Sequence, residues 1–112
     1  MPAIARNLSA FTNREVQQAF RKAVLRFNQN GLQFILAPRQ KEFGRILVIT
    51  SRKSGNAPSR NRIRRQLKAL FYNEKLYDQP YDLLVLVSKE GIRTQTDELK
   101  ELVELVYKKV KE

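Results

Sequence analysis

Three segments of the chain carry hydrophobic residues at a helical spacing, and three others carry them in strand patterns. The first helical segment follows a capping box, with Thr12 or Asn13 as the N-cap and Glu15 folding back onto it. Gly31 offers a left-handed C-cap at the end of this segment. The spacing predicts an amphipathic helix of about 15 residues. Its apolar stripe consists of Val16, Ala19, Phe20, Ala23, Val24 and Phe27.

Strand patterns occupy the middle of the chain and recur near its end. Side chains alternate between two faces in Leu32–Ala37, and Arg45–Thr50 is rich in β-branched residues. We expect the second of these strands to run antiparallel to the first, and an additional short strand fits in the region 27–45. Asp82–Ser88 is the most continuously apolar segment, which predicts a central strand covered on both faces.

Two further helices are predicted between and after the strands. Ser59 is the predicted N-cap of the first, which ends near Asn73, and the second begins near Thr94–Asp97. Each has an apolar stripe that we expect to be buried: Ile63, Leu67, Leu70 and Phe71 in the first, and Leu99, Leu102, Val103, Val106 and Val110 in the second.

The order of these elements predicts an α+β fold. It reads α-β-β-α-β-α, or α-β-β-(β)-α-β-α with the additional strand. Helices packed on a small mixed sheet give a two-layer domain. A chain of 112 residues suits one domain spanning 1–112, in which we expect residues 1–10 to form a flexible N-terminal arm.

Charge is distributed unevenly along the chain. The formal net charge is +11, but residues 1–68 carry +13 and residues 69–112 carry −2. Such an excess of basic side chains favours a polyanionic partner. We therefore expect one strongly basic surface on an otherwise ordinary domain.

The basic excess is greatest in residues 51–68, which contain no acidic side chain. With Ser59 as N-cap, Arg60 and Arg62 would lie in the first helical turn, where the macrodipole disfavours cations. A bound phosphate at that position would reverse this effect. The seven basic residues of the segment are Arg52, Lys53, Arg60, Arg62, Arg64, Arg65 and Lys68.

A solvated basic face is the simplest interpretation of such a run. Two features favour nucleic-acid binding instead. No Asp or Glu stands at i±4 to pair with these side chains, and arginine, which binds phosphate through two hydrogen bonds, outnumbers lysine. The composition thus predicts a surface for RNA or DNA.

The composition also argues against several other functions. The chain has no Cys and no His, so it lacks thiolate metal sites and the commonest general base. Its eleven carboxylates show no pattern that would hold catalytic metal ions, so we expect no metal site and no catalytic residue in the polypeptide. No apolar run approaches the ~20 residues of a membrane span. These features are compatible with a cytoplasmic protein.

The basic segment closely resembles the signature of the bacterial ribonuclease P protein subunit. That family has a Ser-(Lys/Arg)-Lys-x-Gly-Asn-Ala loop followed by an Arg-Asn-Arg helix. Here the loop is Ser51–Ala57 and the helix motif begins at Arg60. The family's element order and length also fit, so the resemblance covers nearly the whole chain.

The resemblance implies a ribonucleoprotein function. A large RNA would catalyse Mg²⁺-dependent hydrolysis of precursor tRNA, leaving the mature 5′ end, and the Mg²⁺ would be bound mainly by RNA. The implied partners are ribonuclease P RNA and precursor tRNA, with no DNA and no membrane. The implied fold is ribosomal protein S5 domain 2-like, with the basic helix in a left-handed β-α-β crossover. The implied RNA-binding residues are Arg52, Lys53, Asn56, Arg60, Asn61, Arg62, Arg64, Arg65 and Lys68.

The family also binds the single-stranded 5′ leader of its substrate in a cleft between the first helix and the open sheet face. The helix usually carries two phenylalanines there, whereas this chain has Val16 and Phe20. Phe34 is the candidate aromatic residue on the first predicted strand. Ala23 replaces a residue that is commonly Gly in the family.

Three other kinds of function share parts of the pattern. A non-catalytic RNA-binding module, such as a ribosomal protein or RNA chaperone, would share the charge asymmetry without promoting cleavage. A protein-only nuclease would need the carboxylate cluster that the sequence lacks. A DNA-binding helix-turn-helix protein fits less well, because strands flank the basic helix.

Overall fold

The structure is a computed structural model that describes residues 10–112. The predicted N-terminal arm lies outside these residues except for Ala10. The helices are α1 (Asn13–Arg21), α2 (Ala57–Asn73) and α3 (Thr96–Val110), with 3₁₀ turns at Leu76–Asp78 and Gly91–Arg93. The strands are β1 (Leu25–Gln29), β2 (Leu32–Pro38), β3 (Ile46–Ile49) and β4 (Tyr81–Val87).

The four strands form one mixed sheet in the order β1-β2-β4-β3. β2 pairs antiparallel with both β1 and β4, while β3 pairs parallel with β4. The strand predicted at Arg45–Thr50 therefore runs opposite to β2, as expected, but is not its neighbour. The reason is α2, which supplies the long crossover connection that two adjacent parallel strands require.

The first predicted helix is shorter than expected. It ends at Arg21, and Leu25–Gln29 forms β1 instead of a last helical turn. Asn30 and Gly31 both have positive φ angles, of 53° and 80°, in a two-residue hairpin loop. An Asn-Gly loop of this kind joins antiparallel strands, so Gly31 closes a hairpin and is not a helix C-cap. The extra strand leaves Val24 52 % exposed.

Both faces of the sheet are apolar, as the pattern of β4 predicted. The larger cluster lies between the sheet and helices α2 and α3, and it includes Phe34 and Val85. The smaller cluster lies beneath α1 and contains Ala19, Ile35, Ala37 and Leu84. Adjacent residues of one strand thus enter different clusters, which confirms that β4 is a central strand covered on both faces.

The N-terminus of α2 differs from the prediction. Asn56 is the N-cap, and its side-chain oxygen accepts a hydrogen bond from the Ser59 amide at 2.9 Å. Ser59 is therefore inside the first turn, and Arg60 lies beyond it. Because Asn56 caps the helix and Pro58 fits the second helical position, the helix begins three residues earlier than expected.

The buried stripes of the two long helices agree closely with their sequence patterns. Ile63, Leu67 and Phe71 of α2 are fully buried, while Leu70 is half-buried. In α3 the predicted residues Leu99, Leu102, Val103 and Val106 are buried. Val110 is only half-buried, and Tyr107 is the additional buried residue.

A buried guanidinium ties α1 to the sheet. Arg45, immediately before β3, donates to both carboxylate oxygens of Glu15 at 3.2 and 3.4 Å. The Arg45 amide donates to Asp82 Oδ1 at 2.9 Å. The Thr12 amide and the Arg45 side chain hold the pKa of Glu15 at about 2, whereas burial raises the pKa of Asp82.

The Glu15→Gln variant tests this ion pair through the pH dependence of stability. The folded-state pKa of Glu15 lies below its ordinary value of 4.5, so its charge stabilises the fold above that pH. That contribution is lost as the pH falls towards 2. Chemical denaturation should show the unaltered protein to be more stable than the variant at neutral pH, with the difference shrinking through this window.

Glu104→Gln, which removes an exposed carboxylate from α3, is the control for the change in net charge. A stability difference for Glu15→Gln that stays constant as the pH falls would contradict the assignment.

Candidate nucleic-acid interface

The basic residues of α2 are held on a rigid helix. Its apolar stripe is embedded in the larger core cluster, so the remaining sides of the helix face outward in a fixed orientation. Arg65 and Lys68 are exposed on the outer side, while Arg62 and Arg64 lie half-buried on its two flanks. Hydrophobic packing thus determines where the positive charge is presented.

The two flanking arginines are anchored by neutral partners. Arg62 donates to the Ile92 carbonyl oxygen at 2.8 Å and to Gln66 Oε1 at 3.1 Å. Arg64 donates to Thr50 Oγ1 and to Asn61 Oδ1. Because a guanidinium has five N–H donors, each retains donors for a phosphate. These hydrogen bonds fix the side chains without neutralising their charge.

The positive charge of this surface has no carboxylate partner. Within residues 10–112, the ion pairs involve only Lys41, Arg45 and Lys100 as basic partners. None of the seven basic residues of 51–68 takes part. Arg52 and Lys53 are exposed in the loop before α2, next to this helix. A solvated surface of mixed charges would show neighbouring acidic groups, so this surface has the electrostatic character of a polyanion-binding site.

A basic pocket of about 560 Å³ adjoins the N-terminus of α2. Lys53 and Arg62 line it together with Lys89 and Arg93, and no carboxylate lines it. Lys89 and Arg93 were not predicted, because they follow β4 and are distant in sequence from the basic segment. Their position directly after β4, the strand that pairs with β3, is the one feature of the sequence that could have indicated them.

Few backbone amides at the start of α2 are free to bind a phosphate. Pro58 has no N–H, and the amides of Ser59 and Arg60 already donate to the side chain and the carbonyl of Asn56. Asn56 therefore acts as a helix cap, with its side-chain oxygen occupied. Since the backbone offers few donors, phosphate binding at this end of α2 depends on the basic side chains.

The other face of the sheet is only partly covered, and we call the exposed area beside α1 the cleft. Helix α1 covers only part of this face, and Val16 and Phe20 lie half-buried along it. Leu47 of β3 and Leu86 of β4 pack partly against the same cluster and remain half-exposed. The cleft thus has one aromatic and several aliphatic side chains at a solvent-accessible position.

Phe34 does not belong to this cleft. It is 0 % exposed and lies in the larger cluster, on the face of the sheet that α2 and α3 cover. Its ring stacks in a tilted arrangement with Phe27, 6.4 Å between centroids. Its assignment as a cleft residue was wrong, because alternation along β2 directs residue 34 away from α1.

The described residues contain few groups suited to catalysis. Residues 10–112 hold no group of three or more His, Cys, Asp or Glu side chains that could bind a metal ion. The carboxyl group with a raised pKa, Asp82, is 0 % exposed and contacts Arg45. Each helix in this part of the chain is too short or too polar to cross a lipid bilayer.

Comparison with known proteins identifies the family. The sequence profile of the Ribonuclease P family matches residues 5–111. The chain belongs to this family. It is therefore a protein component of ribonuclease P, a ribonucleoprotein endoribonuclease of tRNA 5′ processing.

Individual relatives agree with this assignment. The chain is 26 % identical to the ribonuclease P protein component of Bacillus velezensis, covering 87 % of this chain and 84 % of that protein. It is 33 % identical to the Petrotoga mobilis protein component over 58 % of this chain and 56 % of the relative.

Solved structures share the fold. The ribonuclease P protein of Staphylococcus aureus superposes with a TM-score of 0.74 at 20 % identity, covering 90 % of this chain and 93 % of the other. That of Thermotoga maritima gives a TM-score of 0.72 at 18 % identity, covering 89 % and 96 %.

The outer face of α2 can be tested by removing two exposed charges. Arg65→Ala with Lys68→Ala should weaken binding to ribonuclease P RNA and flatten its salt dependence, because each lost phosphate contact lowers the logarithmic slope by roughly 0.7–0.9. Stability should change little, since both side chains are exposed. Filter binding over a range of salt concentrations measures the slope.

Lys108→Ala with Lys111→Ala is the matched control, because it removes the same charge from the exposed end of α3. Equal slopes for the two double variants would show that RNA responds only to net charge.

Proposed function

We propose that this protein binds ribonuclease P RNA through α2 and its preceding loop, and the 5′ leader of precursor tRNA in the cleft beside α1. The observation that carries the proposal is the basic surface of residues 51–68, which has no carboxylate partner in the described part of the chain. Binding at both sites would bring two polyanions, ribonuclease P RNA and precursor tRNA, together on one protein. Removal of the leader would give the mature tRNA 5′ end.

The basic surface has two parts with different geometry. Arg65 and Lys68 form an exposed face suited to the backbone of a folded RNA. The pocket at the N-terminus of α2 is concave, and Lys53, Arg62, Lys89 and Arg93 converge on it. A phosphate in the pocket would receive charge-assisted hydrogen bonds from more than one side. Arg52, Arg60 and Arg64 are the remaining basic residues of the segment.

The contribution of the protein is electrostatic. Mg²⁺ ions held by the RNA and the substrate would activate the attacking water and stabilise the developing charge. The chain has no suitable cluster of carboxylates within residues 10–112, so no step is assigned to a protein-bound metal. Its basic surface reduces repulsion between the two RNAs, which lowers the Mg²⁺ concentration needed for binding and cleavage.

The cleft beside α1 suits a single strand of RNA. Its half-exposed aromatic residue, Phe20, offers a face on which a base stacks, and aliphatic side chains of β3 and β4 form the opposite side. Arg26, on the neighbouring strand β1, donates to the Phe20 carbonyl oxygen at 2.6 Å and places a positive charge at the end of α1. Aromatic and basic groups together are the pattern of single-strand binding sites.

The Phe20→Ala variant tests the cleft. Stacking of one base on an aromatic side chain contributes about 1–3 kcal/mol, so the affinity for precursor tRNA should fall about tenfold or more. The affinity for mature tRNA, which has no leader, should stay the same. Equilibrium binding of both tRNAs to the reconstituted ribonucleoprotein measures the difference.

Val24→Ala is the control, since it removes an exposed apolar side chain just beyond α1. A Phe20→Ala effect of equal size on both tRNAs would contradict a role in leader binding.

A further inference from the structure

Arg45 is a charged residue that RNA cannot reach. It is 1 % exposed and is one of the largest fully buried side chains of the described residues. Any effect of Arg45 on RNA binding must therefore be transmitted through other residues of the protein. Neither the basic segment nor the family signature includes it.

The Arg45 guanidinium contacts the N-terminal end of α1 from several directions. Two of its nitrogens donate to the Glu15 carboxylate, and Nη1 also donates to the Ala10 carbonyl oxygen. Its central carbon lies 4.0 Å from the centre of the Phe11 ring. Glu15 in turn completes the capping box with Thr12, so the same carboxylate holds the start of the helix.

The other contacts of Arg45 belong to the sheet. Its amide donates to Asp82 Oδ1, and its Nη2 lies 3.7 Å from Asp82 Oδ2. Asp82 is fully buried next to the parallel pair of β3 and β4. One buried cation thus joins a carboxylate of α1 to a carboxylate of the central strand.

Apolar packing alone gives α1 little hold on the sheet. Ala19 is the one fully buried residue of this nine-residue helix. Val16, Phe20 and Ala23 are only partly buried against the sheet, so the apolar area that α1 buries, and the stabilisation it gives, are small. A buried charge, by contrast, is tolerated only when its partners surround it in a defined geometry. The ionic contacts therefore favour one placement of α1.

We propose that Arg45 is a positioning residue for the leader cleft: it holds α1 on the sheet so that Phe20 and Val16 face Leu47 and Leu86. This inference rests on the proposed binding of the leader beside α1. Without Arg45 the helix would occupy this position in only a fraction of molecules. The affinity for a leader would fall by that fraction, while the basic surface around α2 would be unchanged.

The Arg45→Met variant tests the proposal, because methionine fills much of the volume without the charge. If α1 is correctly placed in about a tenth of the molecules, the affinity for precursor tRNA falls about tenfold. Affinities for mature tRNA and for ribonuclease P RNA should stay the same. Arg39→Met, an exposed residue of the same type, is the matched control and should affect both tRNAs equally or not at all.

A second measurement, on the protein alone, separates this proposal from the proposed function. Nuclear Overhauser effects from the Ala19 methyl group to the methyl groups of Ile35 and Leu84 report whether α1 sits on the sheet. Loss of these signals in Arg45→Met with unchanged leader affinity would support the anchoring but refute the leader cleft. Retained signals, or an equal loss of affinity for both tRNAs, would overturn the role of Arg45.

If Arg45→Met does not fold, Glu15→Gln and Arg45→Lys answer the same question. The first keeps a capping oxygen but removes one charge of the pair. The second keeps the charge but loses the two-pronged geometry of the guanidinium. Both should reduce the affinity for precursor tRNA more than that for mature tRNA, with Arg45→Lys the milder. If either variant changes the affinities for precursor tRNA and mature tRNA by the same factor, the proposal is refuted.

Discussion

The two faces of the sheet are covered unequally, and both proposed binding surfaces follow from this. Helices α2 and α3 bury most of one face through a large apolar cluster. The short helix α1 covers only part of the other face, leaving Leu47 and Leu86 half-exposed. The covered face supplies the stability that makes α2 a rigid support for positive charge. The incompletely covered face supplies a cleft.

The parallel pairing of β3 with β4 brings the basic groups together. It places the loop after β3 beside the loop after β4, so that Lys53 and Arg93 reach the same pocket although 40 residues separate them in the sequence. Anchoring by uncharged partners, such as the Ile92 carbonyl oxygen on Arg62, leaves the positive charge available to a ligand. Carboxylates are instead used elsewhere, where Glu15 and Asp82 surround Arg45. The fold thus separates structural ion pairs from the charges of the proposed RNA-binding surface.

Most helices and strands could be predicted from local patterns. The pairing of the strands and the burial of individual side chains could not. The stripes of α2 and α3 have strong helical periodicity, and β4 is a continuous apolar run. All three elements are present in the structure. The Asn30-Gly31 hairpin was missed because Val24 and Phe27 continue a helical spacing, although the Asn-Gly pair is a strong hairpin signal. Phe34 was assigned to the wrong face, since alternation gives two faces without saying which one a helix covers. Arg45 gave no signal, because a single arginine before a strand resembles a surface residue until its partners are known.

In the proposed function, this chain assists an RNA catalyst by binding RNA on a basic surface. Its most direct test is cleavage of precursor tRNA by a bacterial ribonuclease P RNA at low Mg²⁺ concentration, with and without the protein. We expect the protein to stimulate cleavage strongly when the RNA is present, and we expect no cleavage by the protein alone. Tight binding to the RNA without any stimulation of cleavage would contradict it.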